Sequence, residues 1–191
     1  MLEAIIPSKT RRKVLAFFFA NQQESVHLRK LTRLVDEEIN AVKRETEILR
    51  KAGALLYERR ANRVLYTLNK KWELYDEFLR IMAKEGATGS TLRKIHSRLG
   101  KVSFAVVSYA FLRGEAIQDH EIYFLFVGII VIPEVDAYIK SLEKGFPFEV
   151  NYTVMTDDEF AFRKKNNDPF IWNFLHSPHV SLLGDESAIT I

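Results

Sequence analysis

The sequence contains no cysteine among its 191 residues, and this absence excludes disulfide bonds, thiolate zinc sites and thiol redox sensors. It fits a reducing cytoplasm, where we expect the protein to act. Long apolar runs are also missing, since the longest, at 124–133, is too short to cross a bilayer and is typical of a buried strand. Residues 7–13 turn basic before a long apolar segment develops, which is unlike a signal peptide. We therefore expect no membrane partner.

Charge is distributed unevenly along a chain that has enough apolar residues to form a core. Apolar side chains make up 47% of the residues and 14 residues are Phe, which suits one domain or two small ones. Residues 1–100 contain 21 Lys and Arg against 12 Asp and Glu, a net charge of +9, whereas residues 101–191 have a net charge of −6. This separation predicts that the first half binds a polyanion and the second does not.

Helical patterns in the first half predict a helix-turn-helix. Ser8 is a good N-cap for a helix of about three turns, and residues 25–27 form a short extended piece. Apolar residues at helical spacing predict a two-turn helix over 28–35. We expect Asp36 to cap a longer helix that stops at Gly53. A short helix, a tight turn and a longer helix are typical of this motif.

Two strand-like runs, 54–59 and 63–68, come next. They are joined by Arg60-Ala61-Asn62, where Asn tolerates the positive φ that a tight hairpin requires. We interpret this hairpin as a wing. An amphipathic helix is predicted over 72–82, and its apolar stripe packs either on its own domain or on a second subunit. Small residues at 86–90 are typical of a linker.

The predicted fold class is a two-domain α+β protein. Its parts are a DNA-binding domain at 1–84, a linker with a short basic helix at 85–100, and an α/β domain at 101–191. In the last part, strands alternate with helices. The strands are predicted at 102–109, 121–131, 148–155 and 179–183, and the helices at 135–144, from 157, and at 169–175.

One face of the longer helix carries polar residues at spacings that place them together. These are Asn40, Lys43, Arg44, Glu47 and Lys51, while Ile39, Val42, Thr46 and Leu49 form the packing face. The first residues of such a helix reach base edges, so Asn40, Lys43 and Arg44 are the predicted readers. Glu47 either orients Arg44, restrains the neighbouring lysines or accepts from cytosine. An ordinary solvated helix face with internal ion pairs is the alternative.

Other basic residues are expected to contact the DNA backbone. Arginines on both sides of the hairpin turn can reach a phosphate or a narrow minor groove. The residues predicted at this tip are Arg59, Arg60, Asn62 and Arg63. Phosphate contacts that position the domain are expected from Arg11, Arg12, Arg29 and Lys30. Each contact should add to the salt dependence of binding.

The first part of the chain resembles the ArsR-like winged helix-turn-helix transcriptional regulators. The resemblance covers about residues 5–84 and rests on the order of elements, on Leu28-Arg29-Lys30-Leu31 before the turn, and on residues 49–56 leading into the wing. It implies a homodimer that binds palindromic operators in double-stranded DNA. The Cys and His clusters of metal-sensing members are missing, so metal sensing is not implied.

The second part, over about residues 102–185, resembles the minimal nucleotidyltransferase family, which implies a mixed sheet flanked by helices. Arg113-Gly114-Glu115 matches the family motif. Tyr109-Ala110 replaces the Gly-Ser that cradles phosphate, and Glu121 and Tyr123 replace two metal-binding aspartates. We therefore expect a degenerate nucleotide site at these residues, in a pseudoenzyme used for dimerisation, for sensing a small-molecule effector or for binding a protein effector.

No catalytic residue, metal or cofactor is predicted from the sequence. The acidic run at 157–159 fits the start of a helix, and His176 and His179 flank a proline in a turn. Two alternative functions remain open at this point. One is an active nucleotidyltransferase that the winged helix directs to its target, and the other is a protein-interaction module whose basic surface binds an acidic partner.

Overall fold

The computed structural model describes residues 2–60, 63–118 and 120–185. Within these ranges the protein is a mixed α and β structure with two sheets, and the chain divides into two compact units, Met1–Gly86 and Ala87–Ile191. None of the described helices has the length and apolar character needed to span a lipid bilayer.

The first unit combines helices with a three-stranded antiparallel sheet of order β1-β3-β2. Its elements are α1 (Leu2–Ile5), α2 (Lys9–Ala20), β1 (Val26–His27), α3 (Leu28–Val35), α4 (Ile39–Lys51), β2 (Leu55–Arg60), β3 (Arg63–Leu68) and α5 (Tyr75–Glu85). The predicted helices over 28–35 and up to Gly53 are confirmed, as is the short extended piece before them.

Helix α2 begins where the sequence predicts, because the Ser8 hydroxyl accepts a hydrogen bond from the Arg11 backbone N–H. Val14, Leu15 and Phe18 of this helix are buried in the core. Burial of side chains of this size stabilises the fold by about 1.5–3 kcal/mol each.

The residue that caps helix α4 differs from the prediction. Asp36 ends α3 in the left-handed conformation, with φ of 49°, and cannot adopt the extended backbone of an N-cap. Glu38 takes this position, and its carboxylate accepts from the backbone N–H groups of Asn40 and Ala41. These hydrogen bonds lower the pKa of Glu38, since they favour the charged form.

Strands β2 and β3 form the predicted hairpin, with β2 at the sheet edge. Strand β2 starts at Leu55, one residue later than predicted, and Arg60 lies opposite Arg63. The predicted turn residues Ala61 and Asn62 lie outside the described residues.

Helix α5 packs on α2 of its own unit. Phe19 of α2 stacks on Tyr75 and Phe78, and the Trp72 ring contacts Phe78 as well. Leu79 and Met82 are also buried. The apolar stripe of α5 is therefore used within the unit, which answers the question that the sequence left open. The helix begins at Tyr75 rather than at Trp72, because residues 69–74 form hydrogen-bonded turns.

The second unit is built on a mixed sheet of order β6-β5-β4-β7, in which only the β5–β6 pair is parallel. This agrees with the predicted mixed sheet. Its elements are α6 (Ala87–Lys94), a 3-10 turn (His96–Arg98), β4 (Gly100–Ser108), α7 (Tyr109–Arg113), β5 (Phe124–Ile130), α8 (Ile132–Glu143), β6 (Tyr152–Met155), α9 (Asp157–Lys165), α10 (Pro169–His176) and β7 (His179–Leu183).

Helices cover both faces of this sheet. On one face, Val106 and Leu125 join a buried cluster with Phe160 of α9 and Ile171 of α10. On the other face, Tyr138 of α8 packs edge-on against the rings of Phe124 and Phe126. Strand β5 is thus buried on both sides, which explains why its sequence is almost continuously apolar.

The segment 86–90, which was predicted to be a linker, is helical from Ala87 onward, although the boundary between the two units falls directly after Gly86. Gly89 and Leu92 of α6 are buried, and Thr88 accepts through its backbone carbonyl from the Tyr138 hydroxyl at 3.0 Å. The small residues allow close packing on the sheet rather than a flexible connection. Two strands also begin later than predicted. Strand β5 begins at Phe124 rather than at residue 121, and β6 begins at Tyr152 rather than at residue 148.

Strand β4 has an irregular register opposite Gly128. The pairing shifts between Val102 and Phe104, and Gly128 has φ of 136°. A Cβ atom at Gly128 would collide with the Lys101 carbonyl oxygen. Only glycine fits this position without strain.

Candidate nucleic-acid interface

Helix α4 presents the predicted polar face to solvent. Asn40, Lys43, Arg44 and Lys51 are exposed, whereas Val42, Thr46 and Leu49 are buried on the opposite face. Ile39 was expected among the buried residues, but 39% of its surface is exposed, since it occupies the first position of the helix. The face available to a ligand is therefore basic.

Glu47 is the exception on this face, because its side chain turns toward the hairpin. Its carboxylate accepts from Arg50 Nε at 3.0 Å and from the Tyr66 hydroxyl at 3.2 Å. The bond from Arg50 lowers the pKa of Glu47. Among the described residues, Glu47 forms no hydrogen bond or ion pair with Arg44, Lys43 or Lys51, although the charge of Lys51 also lowers its pKa. Its contacts fix the hairpin to the helix instead.

A second contact supports this joint between α4 and the hairpin. The Arg50 guanidinium lies over the ring of Tyr57, 5.0 Å from its centroid. Such cation–π contacts are worth about 0.5–1 kcal/mol at exposed sites. The hairpin is thus held to the C-terminal half of α4 by Glu47 together with Arg50, Tyr57 and Tyr66, three residues that the sequence did not single out.

The hairpin end carries the predicted arginines on both of its faces. Arg59, Arg60 and Arg63 are exposed, and alternation along the strand places Arg60 on the opposite face from Arg59. Arg60 pairs with Glu58 on its own face, with Nε and Oε1 3.0 Å apart. Arg60 and Arg63 are directly opposite each other, an arrangement of like charges that destabilises the isolated hairpin.

Two of the predicted phosphate contacts are used inside the fold. Arg11 donates from Nε to Glu45 at 2.8 Å, and Arg12 donates to the backbone carbonyls of Ile6 and Pro7. The prediction that Arg11 and Arg12 bind phosphate is therefore not supported by their surroundings. Sequence reasoning missed Glu45, although it lies between Val42 and Leu49 on the packing face of α4.

The lysines of α2 are paired in the same way. Lys9 and Lys13 lie 3.2 Å and 2.8 Å from Glu37, which precedes α4. The hydrogen bonds from Lys13 and Lys9 lower the pKa of Glu37. The cations of α2 thus balance acidic groups beside α4.

Helix α3 offers more open positions. Arg29 and Lys30 are both exposed at its start. Lys30 lies 3.2 Å from Glu24 in an exposed pair, and such pairs contribute only about 0–1 kcal/mol. Both residues are therefore available to an anion.

Four of the five residues predicted for the degenerate nucleotide site border one cavity of the second unit. Tyr109, Ala110, Arg113 and Glu121 line this space of about 210 Å³. Tyr123 does not, because its ring stacks on Phe148 in the core and its hydroxyl donates to the Glu115 carbonyl. The structure therefore does not support its assignment to the nucleotide site. Burial of Tyr123 raises its pKa.

The cavity has defined walls. Ser108 ends β4 and caps α7, since its hydroxyl accepts from the Phe111 N–H at 3.3 Å. The Arg113 guanidinium lies over the ring of Tyr109 at 5.1 Å. Glu121 closes a turn by accepting from the Gln118 N–H at 2.8 Å. One face of α10, with Phe170, Asn173 and Phe174, and the following residue Ser177 complete the wall.

In the described part of the chain, no group of three or more His, Asp or Glu side chains could hold a metal ion. The acidic residues at 157–159 form the first turn of α9, as the sequence predicts, and the Thr156 hydroxyl caps the helix. The ring nitrogens of His176 and His179 each contact a nearby backbone carbonyl.

No family model, curated protein or solved structure matches this chain. The function must therefore be inferred from the exposed charges of α4 and the hairpin and from the cavity of the second unit.

Proposed function

We propose that the protein is a sequence-specific regulator of transcription that binds double-stranded DNA. Helices α3 and α4 act as a helix-turn-helix, with α4 as the recognition helix, and the hairpin acts as a wing. One observation carries this proposal. Lys43, Lys51, Arg59 and Arg63 are exposed and form no ion pair with any residue that the structure describes.

The contrast with α2 strengthens this argument. Lys9 and Arg11 are bound to acidic side chains, so their charges are already balanced. Cations that the fold leaves unbalanced repel one another, and a polyanion relieves this repulsion. Phosphate backbones are the polyanion that such a basic surface fits.

Base reading is assigned to the start of α4. Asn40, Lys43 and Arg44 occupy its first two turns and are exposed. Asn suits adenine, and Arg or Lys suits guanine. Arg44 also lies 3.7 Å from Glu45, a long pair that leaves 69% of its side chain exposed.

Backbone contacts are assigned to the wing and to the start of α3. Arg59, Arg60 and Arg63 bind phosphate or a narrow minor groove, and Arg29 and Lys30 bind phosphate. The Glu47 and Arg50 contacts described above hold the wing beside α4, so that both reach one duplex. We further propose that the protein acts in the cytoplasm as a homodimer on palindromic operators.

We infer that the second unit forms a separate domain that performs no nucleotidyl transfer. Tyr109 and Ala110 line the cavity where a transferase needs a phosphate cradle, which supports this inference. Incubation with labelled nucleoside triphosphates and magnesium tests it. Labelled product would show that the domain is an enzyme.

Fluorescence anisotropy tests DNA binding. The full chain is titrated against the duplex upstream of its own gene and against a shuffled duplex, over a range of salt concentrations. Tight and salt-sensitive binding that prefers the native duplex is expected. Failure to bind either duplex at low salt contradicts the proposal and points to an acidic protein as the partner.

Substitutions distinguish the residues that read bases from those that contact the DNA backbone. Lys43→Ala and Arg44→Ala are expected to reduce the preference for the native duplex. Arg63→Ala is expected to weaken both duplexes alike and to reduce the salt slope by about one. Arg98→Ala, which removes an exposed arginine paired with Glu134, serves as the control and should leave binding unchanged. Equal effects from all variants would contradict this division.

A further inference from the structure

The cavity of the second unit combines an apolar wall with polar groups. Its apolar side comes from Tyr109, Ile122, Phe170 and Phe174, and its volume is about 210 Å³. Ligand sites are typically lined in this way, by apolar side chains with a few polar groups that fix orientation. The cavity is therefore a candidate binding site for one small molecule.

Charges of both signs border this small space. Arg113 lines the cavity, and so do Glu115 and Glu121. The exposed side chain of His120 lies at the same cavity. A ligand with a single charge would meet at least one repelling group. A ligand that carries both charges can satisfy both sets of side chains.

From this combination we propose that the cavity binds a zwitterionic amino acid with an apolar side chain. The ligand carboxylate binds Arg113, the ammonium group binds Glu115 or Glu121, and the side chain packs against Phe170 and Phe174. The small volume of about 210 Å³ favours a ligand of the size of leucine or phenylalanine over a larger one. This proposal does not depend on DNA binding by the first unit.

A nucleoside triphosphate fits this site poorly. Its phosphates would lie near two carboxylates, with Arg113 as the one arginine among the lining residues that the structure describes. The side chain of Tyr109 also stands where a phosphate needs close approach to the backbone. The chemistry of the lining therefore favours the zwitterion.

Isothermal titration calorimetry on the full chain tests the proposal. The probes are L-leucine, L-phenylalanine, leucinamide and N-acetyl-leucine, together with ATP and magnesium. Leucinamide lacks the carboxylate and N-acetyl-leucine lacks the ammonium group. Each of these two compounds loses the hydrogen bonds of one charged group. Each is therefore expected to bind at least about tenfold more weakly than leucine.

Variants locate the binding. The double variant Glu115→Gln with Glu121→Gln should weaken binding of leucine but not of N-acetyl-leucine, and Ser177→Trp, at a residue that lines the cavity, should obstruct it. Lys140→Met, on the exposed surface of α8, is the control and should bind as the parent protein does. Circular dichroism confirms that each variant is folded.

Three results overturn the proposal. The first is the absence of heat with every amino acid at millimolar concentration while the protein is folded. The second is equal affinity for leucine and both of its blocked forms, which shows that the charges are not recognised. The third is tighter binding of ATP than of any amino acid.

Discussion

Arg11 and Glu45 form an ion pair that joins helix α2 to helix α4, with Nε and Oε2 2.8 Å apart. Only 3% of the Glu45 side chain is exposed, and the Ser8 hydroxyl donates to its other oxygen at 2.8 Å. The same serine caps α2. The position of the proposed recognition helix thus depends on Arg11, whose guanidinium is paired within the fold.

Replacing Arg11 with alanine is expected to destabilise the first unit by about 1–3 kcal/mol, because a buried carboxylate loses a charged partner. Arg29→Ala is the matched control. It removes the same charge from an exposed position, so its effect should be within about 0.5 kcal/mol. Chemical denaturation of both variants measures the difference.

DNA binding by the same two variants gives a second comparison. At temperatures where both are folded, Arg29→Ala should weaken binding and lower its salt dependence. Arg11→Ala should keep the salt slope of the parent protein. A slope reduced equally by both substitutions would show that Arg11 leaves Glu45 and binds phosphate.

Stability of the first unit should fall in acid because of Glu45. Burial raises its pKa, but hydrogen bonds from Ser8 and Arg11 outweigh burial, and the net pKa is lowered. The folded protein therefore binds this proton more weakly than the unfolded chain, in which the pKa is about 4.3. The contribution of Glu45 is complete above that value and is lost as the pH falls through the lower, folded pKa.

Glu45→Gln tests this dependence by denaturation between pH 3 and pH 7. The variant should be less stable than the parent near neutral pH, and the difference should shrink toward pH 3. Glu24→Gln, which alters an exposed pair with Lys30, is the control and should change stability little at any pH. A constant difference between the Glu45 variant and the parent would contradict this account.

Gly128 should tolerate no side chain. Gly128→Ala places a Cβ against the Lys101 carbonyl in a backbone conformation that favours glycine, and a cost of about 1–3 kcal/mol is expected. Gly145→Ala is the matched control, since its Cβ would meet nothing closer than the Leu142 carbonyl oxygen at 3.6 Å. Thermal denaturation should separate the two, and equal melting temperatures would contradict the bulge as described.

Much of the first unit could be predicted from local signals. The sequence predicts helices α3 and α4 because their signals, the apolar spacing and the glycine at position 53 that follows α4, involve only neighbouring residues. The hairpin was found because its connection is short. Such features need no knowledge of distant contacts.

The structure departs from the sequence-based expectations where residues that are distant in the sequence determine the contacts. Arg11 and Glu45 are 34 positions apart in the sequence, so their pairing depends on how α2 packs on α4. Tyr123 was assigned from a motif position, but its aromatic ring packs with Phe148 of a later segment. Small residues such as those at 86–90 are typical both of a flexible linker and of a tightly packed helix. Only the fold shows which of these two structures the segment adopts.

The position of β2 at the edge of its sheet bears on how the protein behaves at high concentration. An edge strand with exposed Leu56 and Tyr57 is a template on which an identical strand of another molecule can pair. Glu58, Arg59 and Arg60 follow on the same strand, and pairing would strip water from their charges. The arginines at the hairpin end thus also oppose self-aggregation. Replacing them with neutral residues should lower the solubility of the protein even where no nucleic acid is present.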